Sequence, residues 1–248
     1  MNKLLVSSAI TALLVSSAAQ AEIVMETGDV SVGYSFGTDT VSGAGLLDLT
    51  IRGDYAIGQL GVQLDGFTGT LLGDPAEDLA IYAVGGHAYM QFNNGVKAGA
   101  YVGYDSLSIP GDTVTITNYG VEAMAGFGSI DLEASLGWID VNDQPTDPLL
   151  VVEVNASYDI SPSFELSAGY ENISGSGNNS NIYTIGAGYT LSNMPVSIDA
   201  SYTYFDDIGV NGIGVVGVNV SYSFGGPSDE QLFNTHGYPF KIFASGNL

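Results

Sequence analysis

From Gly28 to Phe224 the side chains alternate in character residue by residue, and a period of two belongs to the extended strand, not to the 3.6-residue helix. The first segment shows it in short form, with Val30, Val32, Tyr34 and Phe36 on one face and Ser31, Gly33 and Ser35 on the other. The split recurs over 47–57, 60–64, 82–92, 96–104, 119–127, 130–138, 150–158, 164–170, 182–191, 196–204 and 216–224, which makes twelve segments. Most of them approach the roughly 9 to 11 residues that a tilted strand needs to cross a bilayer. No continuous apolar run is long enough for a spanning helix.

The connections alternate in length. Every second one is tight: Gly58-Gln59, Asn93-Asn94-Gly95, Gly128-Ser129, 159–163 and 192–195. Gly58-Gln59 and Gly128-Ser129 fit two-residue hairpins, because glycine accepts positive φ at the first central position. The intervening stretches, 37–45, 73–78, 105–118, 140–148 and 175–181, are rich in Gly, Asp, Asn and Ser and are expected to be longer loops. Short turns on one rim and long loops on the other describe an up-and-down barrel whose two rims face different compartments.

Aromatic positions test that topology separately. Outward-facing Tyr34, Phe36, Tyr104, Tyr119, Trp138, Tyr170, Tyr183, Tyr202 and Tyr204 fall near the long-loop rim, and Tyr55, Phe92, Phe127, Tyr158, Phe164, Tyr189, Tyr222 and Phe224 near the short-turn rim. Two girdles then bracket a band of small and aliphatic residues, as expected where amphipathic rings sit at both membrane interfaces. A soluble β-sandwich also alternates, yet it gives aromatics no reason to sort to both ends of the outward face. Because lipid cannot satisfy the backbone groups of an open edge, the sheet is expected to close. The expected fold is all-β, a closed antiparallel transmembrane barrel of about twelve strands with short periplasmic turns and longer extracellular loops.

The run Gly217-Val-Asn-Val-Ser-Tyr222-Ser-Phe224 resembles the C-terminal assembly signal of bacterial outer-membrane proteins, in which a glycine precedes alternating apolar and aromatic residues. It departs from that pattern in carrying a further tail, 225–248. Over 28–224 the chain resembles small porin-type outer-membrane proteins. That resemblance implies contact with outer-membrane lipid and lipopolysaccharide, recognition by the outer-membrane assembly machinery, and passage of small cationic or neutral solutes.

The amino terminus agrees with export. Lys3, the apolar run 4–15 and the small-residue site Ala19-Gln20-Ala21 have the form of a secretory signal peptide, so residues 1–21 are expected to be removed. The mature chain then divides into a periplasmic lead (22–27), the barrel (28–224) and a periplasmic tail (225–248). The chain has no cysteine, which excludes disulfides and thiolate metal sites. A formal charge of −23 with four Lys plus Arg excludes binding to nucleic-acid phosphates, since there is almost no cation to release counterions.

Parity also assigns an inward face, and its charge is lopsided. Asp48, Asp54, Asp65, Glu122, Asp131, Glu133, Glu153, Glu165, Glu171 and Asp199 point inward against Arg52 and Lys97. The Gly58-Gln59 turn sets Arg52 opposite Asp65, and a cross-strand ion pair is expected there. Many remaining inward positions are Ser or Gly, which leaves a twelve-strand interior unfilled. An acidic wall around enclosed water concentrates cations and excludes anions. The expected function is passive diffusion of small hydrophilic solutes with a cation preference. The alternative is a non-conducting structural or adhesive barrel that works through its extracellular loops, its acids solvating an occluded interior. A self-exporting translocator is disfavoured, because only a few residues separate Ala21 from the first strand.

Other motifs have plainer explanations. Gly212-Ile-Gly214-Val-Val-Gly217 matches the dinucleotide fingerprint as a string, but it opens a strand where that motif needs a helix. Barrel lipases and deacylases resemble one another in a His-x-Ser pair, whereas His87 is followed by Ala88 and Tyr89, so no catalytic residue is expected and His87 is an inward polar side chain. Asp206-Asp207 lacks a neighbouring histidine. Asp140, Asn142, Asp143 and Asp147, like Asp74, Glu77 and Asp78, offer oxygen ligands without the Gly and bidentate Glu of a tight calcium loop. No metal site and no cofactor are expected. The tail carries Phe233, Tyr238, Phe240 and Phe243, and its spacing leaves open a rim-packed, lumen-plugging or disordered state.

Overall fold

A computed structural model describes residues 23–38, 45–73, 79–93, 95–109, 111–141, 147–175, 178–207, 212–225, 232–234 and 236. The signal region and the loop residues Asp74, Glu77, Asp78, Asn142 and Asp143 lie outside them, as do Lys3, Lys241 and the tail aromatics Tyr238, Phe240 and Phe243.

Twelve strands close into an antiparallel barrel in which each pairs with its sequence neighbours and β1 with β12. They are β1 (Val24–Gly37), β2 (Gly45–Ile57), β3 (Leu60–Leu72), β4 (Ala80–Gln91), β5 (Lys97–Ile109), β6 (Asp112–Phe127), β7 (Ile130–Val141), β8 (Leu149–Ser161), β9 (Phe164–Gly175), β10 (Asn178–Thr190), β11 (Val196–Asp207) and β12 (Ile213–Gly225). Closure leaves no strand edge for lipid to meet.

The hairpin turns behave as their glycines require. Gly58 and Gly128 sit at φ of 66° and 70°, in the region closed to most side chains, and a Cβ at either would meet nothing within 4 Å, so φ alone demands glycine there. Register follows from the first of these turns: Ile57 faces Leu60, and Arg52 faces Asp65.

Alternation separates exposed from hidden residues along whole strands. On β7, Leu132, Ala134, Leu136 and Trp138 are exposed while Glu133, Ser135, Gly137 and Ile139 are buried. The girdle residues Tyr34, Tyr104, Tyr119, Trp138, Tyr170, Tyr202, Tyr55, Phe92, Phe127, Tyr158, Tyr189 and Tyr222 are exposed on the outer surface. Phe224 departs from this: it is half-buried, because its ring lies over Gly28 of β1, where a Cβ would come within 2.7 Å of it.

Strand lengths differ from the sequence expectation in four places. β1 begins at Val24, so most of the supposed lead 22–27 is strand, paired through Met25 with Tyr55 and through Thr27 with Asp54 across a bulge. β3 runs on to Leu72. The supposed loop 105–118 is instead the meeting of β5 and β6, which pair from Lys97↔Met124 out to Ile109↔Asp112. Part of the supposed loop 175–181 is likewise strand, with Asn178 paired to Gly175. The hydroxyl-rich composition of 105–118 suggested a loop, but Val114, Ile116 and Leu107 keep the two-residue period and turn apolar groups inward, where burial outweighs the local preference for turns.

Candidate functional site

Inside the barrel the wall changes character along its axis. Toward the rim opposite the short turns, Leu46, Ile81 and Leu107 form one apolar cluster, and Ile116, Ile139, Val151, Ile173, Ile182, Phe205 and Val215 form another. Val114 packs against both, and each of these ten residues is at most 7% exposed, so side chains that would line an open mouth are hidden from water. Below this belt the wall of the lumen is acidic instead, from Asp48, Asp105 and Glu171 down to the short turns.

None of the inward charges expected from parity is exposed. Asp54, Lys97, Glu122, Glu133 and Glu171 are buried; Asp48, Arg52, Asp65, Asp131, Glu153, Glu165 and Asp199 are half-buried. The expected Arg52 to Asp65 ion pair does not form, although the two residues are register partners. Arg52 is also opposite Asp29 on its other flank, and its guanidinium forks onto that carboxylate, Nε donating at 3.0 Å and 3.1 Å and one Nη at closer range. Asp65 is engaged by His87 Nε2 at 2.6 Å and by the Gln63 amide at 2.9 Å. Lys97 reaches Asp54 at 3.6 Å and lies 5.2 Å over the Tyr89 ring, whose hydroxyl donates to Asp54 at 2.6 Å. Among the described residues both fixed cations are therefore already matched to a carboxylate.

The tail enters this acidic region. Phe233 is 1% exposed, packed against Tyr89 and Met124 and stacked on His87 at 5.7 Å between ring centroids. Gln63 donates from Nε2 to the Phe233 carbonyl and accepts from the Phe233 N–H through Oε1, each at 2.8 Å. Asn234 donates from its backbone N and its Nδ2 to the two oxygens of Glu133, at 3.1 Å and 2.7 Å. His236 stacks on Tyr101 at 3.9 Å and meets Glu122 at 3.0 Å. These four contacts come from β3, β4 to β7 and the tail itself, so a tail held wholly on the periplasmic side is corrected: Leu232, Phe233, Asn234 and His236 lie within the lumen or at its edge. The reason is that the wall presents carboxylates and a side-chain amide that match the donors and acceptors of an irregular segment, which could not otherwise be buried.

Two cavities flank the tail segment. One, of about 320 Å³, extends from His87, Tyr101 and His236 toward Ile81, Phe205 and Val215 at the apolar rim. The other, of about 470 Å³, is lined by Asp29, Arg52, Asp131, Glu133 and Glu165 with Leu232 and Asn234. Asn155, Gly169 and Thr184 border both, and the tail contributes to each, His236 to the first and Leu232 and Asn234 to the second.

Several residues that carry the site are absent from the inward charges that the sequence singles out. Asp29 shares the parity of Ser31 and was legible; Tyr89 and Tyr101 share that of His87 and were too. Tyr101 and Tyr89 lie flat on the inner wall because the facing positions lack side chains: Gly120 and Gly61 leave the room, and a Cβ at Gly120 would fall 2.7 Å from the Tyr101 hydroxyl. Phe233 and His236 had no signal in the tail's spacing.

A profile of the Gram-negative porin family matches residues 29–209. No curated protein sequence matches the chain. Among solved structures the barrel is similar to the KdgM porin, at 11% identity and a TM-score of 0.59 over 79% of this chain and 99% of that one. It is similar also to the COG4313 outer membrane channel from Pseudomonas putida F1, at 13% identity and a TM-score of 0.55 over 84% and 98%. At such identities the likeness is one of fold.

Proposed function

Because the chain belongs to the Gram-negative porin family and is an outer-membrane channel for small solutes, we propose that it passes small hydrophilic cations and neutral molecules passively and disfavours anions. The observation that carries this reading is the charge of the inner wall. Asp48, Asp131, Glu165 and Asp199 face the lumen, while Arg52 and Lys97 are already matched to Asp29 and Asp54. A low-dielectric wall of one sign focuses its field into the enclosed water, raising the local concentration of cations.

Flow through the lumen requires the tail segment that lines both cavities, and the apolar belt at the opposite rim, to give way. The last barrel strand ends at Gly225, and the described tail residues 232–234 and 236 belong to no strand, so they can shift without opening the sheet. The test is conductance in planar bilayers under a potassium chloride gradient, for the mature chain and for one ending at Phe224. Discrete openings with a reversal potential on the cation side are expected, larger or more frequent in the shortened chain. Silence from both, or an anion-selective reversal, overturns the reading, and silence joined to loop-mediated adhesion would favour the structural alternative.

A further inference from the structure

The chain has two histidines, and they converge on one carboxylate. His87 on β4 brings Nδ1 to 2.8 Å from Glu122 Oε1, and His236 on the tail brings Nε2 to 3.0 Å from Glu122 Oε2. All three residues are buried, and one donor atom from each lies within 4.8 Å of the others. Behind each imidazole stands a second carboxylate: Asp65 Oδ2 is 2.6 Å from His87 Nε2, and Glu153 Oε2 is 3.4 Å from His236 Nδ1. Diffusion of solutes makes no use of this arrangement.

We propose that His87, Glu122 and His236 form a site for a zinc-type divalent transition-metal ion, which fastens the tail across the lumen. Two imidazoles and a carboxylate are a donor set suited to such ions, and calcium or magnesium would favour oxygen ligands throughout. Tetrahedral bonds of roughly 2.0 to 2.1 Å place ligand atoms about 3.3 Å apart. The separations here, from 2.8 Å up to at most 4.8 Å, bracket that spacing. A carboxylate on the far nitrogen of a ligating imidazole fixes the ring and raises its basicity, and Asp65 and Glu153 occupy those positions. The local charge agrees as well, because a divalent ion offsets carboxylates whose neighbouring fixed cations are engaged elsewhere. The 320 Å³ cavity borders both histidines and leaves room for water as a further ligand.

This inference rests on where the tail lies and not on the conductance reading, so either can fail alone. The experiment is calorimetric titration of zinc chloride into the refolded, chelator-treated mature chain, with cobalt(II) absorption as a second readout. One equivalent is expected, bound at least tenfold more tightly than by His87→Gln or His236→Gln. The cobalt spectrum should be that of a nitrogen and oxygen site of low coordination number and should vanish in both variants. Heat-modifiable mobility on gels confirms that each variant is a closed barrel. Absence of uptake, equal uptake by wild type and variants, or equal competition by calcium overturns the proposal, the last two marking diffuse binding to carboxylates.

Discussion

Gln63 holds Phe233 with both ends of its amide, donating to the carbonyl and accepting from the N–H of the same residue at 2.8 Å each. A single wall side chain thus does for the tail backbone what a neighbouring strand does within the sheet. Gln63→Leu removes both partners and leaves two buried backbone groups without hydrogen bonds, at about 1 to 3 kcal/mol each. The tail should then spend less time docked. Single-channel recordings of Gln63→Leu are expected to show conductance or open time raised toward that of the chain ending at Phe224. Recordings indistinguishable from wild type would show that this contact does not hold the tail.

Lipid contact makes its own prediction through the two-residue period. Ile185 is 62% exposed at the middle of β10, and its neighbour Thr184 faces the lumen, where it borders both cavities. Arginine at a lipid-facing site near the bilayer midplane costs about 2 to 4 kcal/mol, whereas lumen positions tolerate charge. Ile185→Arg should therefore lower unfolding free energy by about that amount in vesicle-based urea titrations, and Thr184→Arg by clearly less. Equal losses would mean that the two faces do not meet different solvents.

The same parity explains what the sequence could and could not reveal. Strand count, closure, the Ile57↔Leu60 register and the inward placement of Glu122, Glu133 and Asp199 all follow from a two-residue period, because slipping by one would turn every greasy side chain to water. Partner choice does not follow from it. Arg52 has an acid directly opposite on each flank, Asp29 and Asp65, and the winner depends on a histidine on the next strand that claims Asp65. The apolar belt was hidden for another reason. Leu107 and Ile116 lie in a stretch whose hydroxyl and Asn residues resemble a loop, and only the pairing of β5 with β6 turns them into wall. Docking of Phe233 and His236 depends on contacts across more than a hundred residues of chain, beyond any local pattern.

That choice of partner can be measured. Arg52 and Asp29 form a forked, partly buried pair, their side chains 24% and 10% exposed. Hydrogen bonds to charged groups contribute roughly 1.5 to 3 kcal/mol, discounted here for the solvent that reaches Arg52. A double-mutant cycle of Arg52→Gln with Asp29→Asn should give a coupling energy of about 1 kcal/mol or more, and the cycle with Asp65→Asn a smaller one. The reverse order would return Asp65 to the role that strand register first suggests for it.

Selectivity should follow carboxylates that face water and stay clear of the tail. Glu165 lines the 470 Å³ cavity; Asp199 is half-buried on the adjoining wall of β11, register partner of Gly188 and Asn219. Neither contributes to the contacts that hold Phe233, Asn234 or His236, so neutralising them changes the field without loosening the tail. Each unit charge removed from a confined wall lowers the potential that draws cations in, and mobile salt screens the effect over about 10 Å at 0.1 M. Glu165→Gln and Asp199→Asn should each reduce the cation-to-anion permeability ratio, and the pair should reduce it further. The change should be largest at low salt and fade toward 1 M, where the screening length falls to about 3 Å. A ratio unaffected by both substitutions at every salt concentration would mean that the current does not pass along this wall.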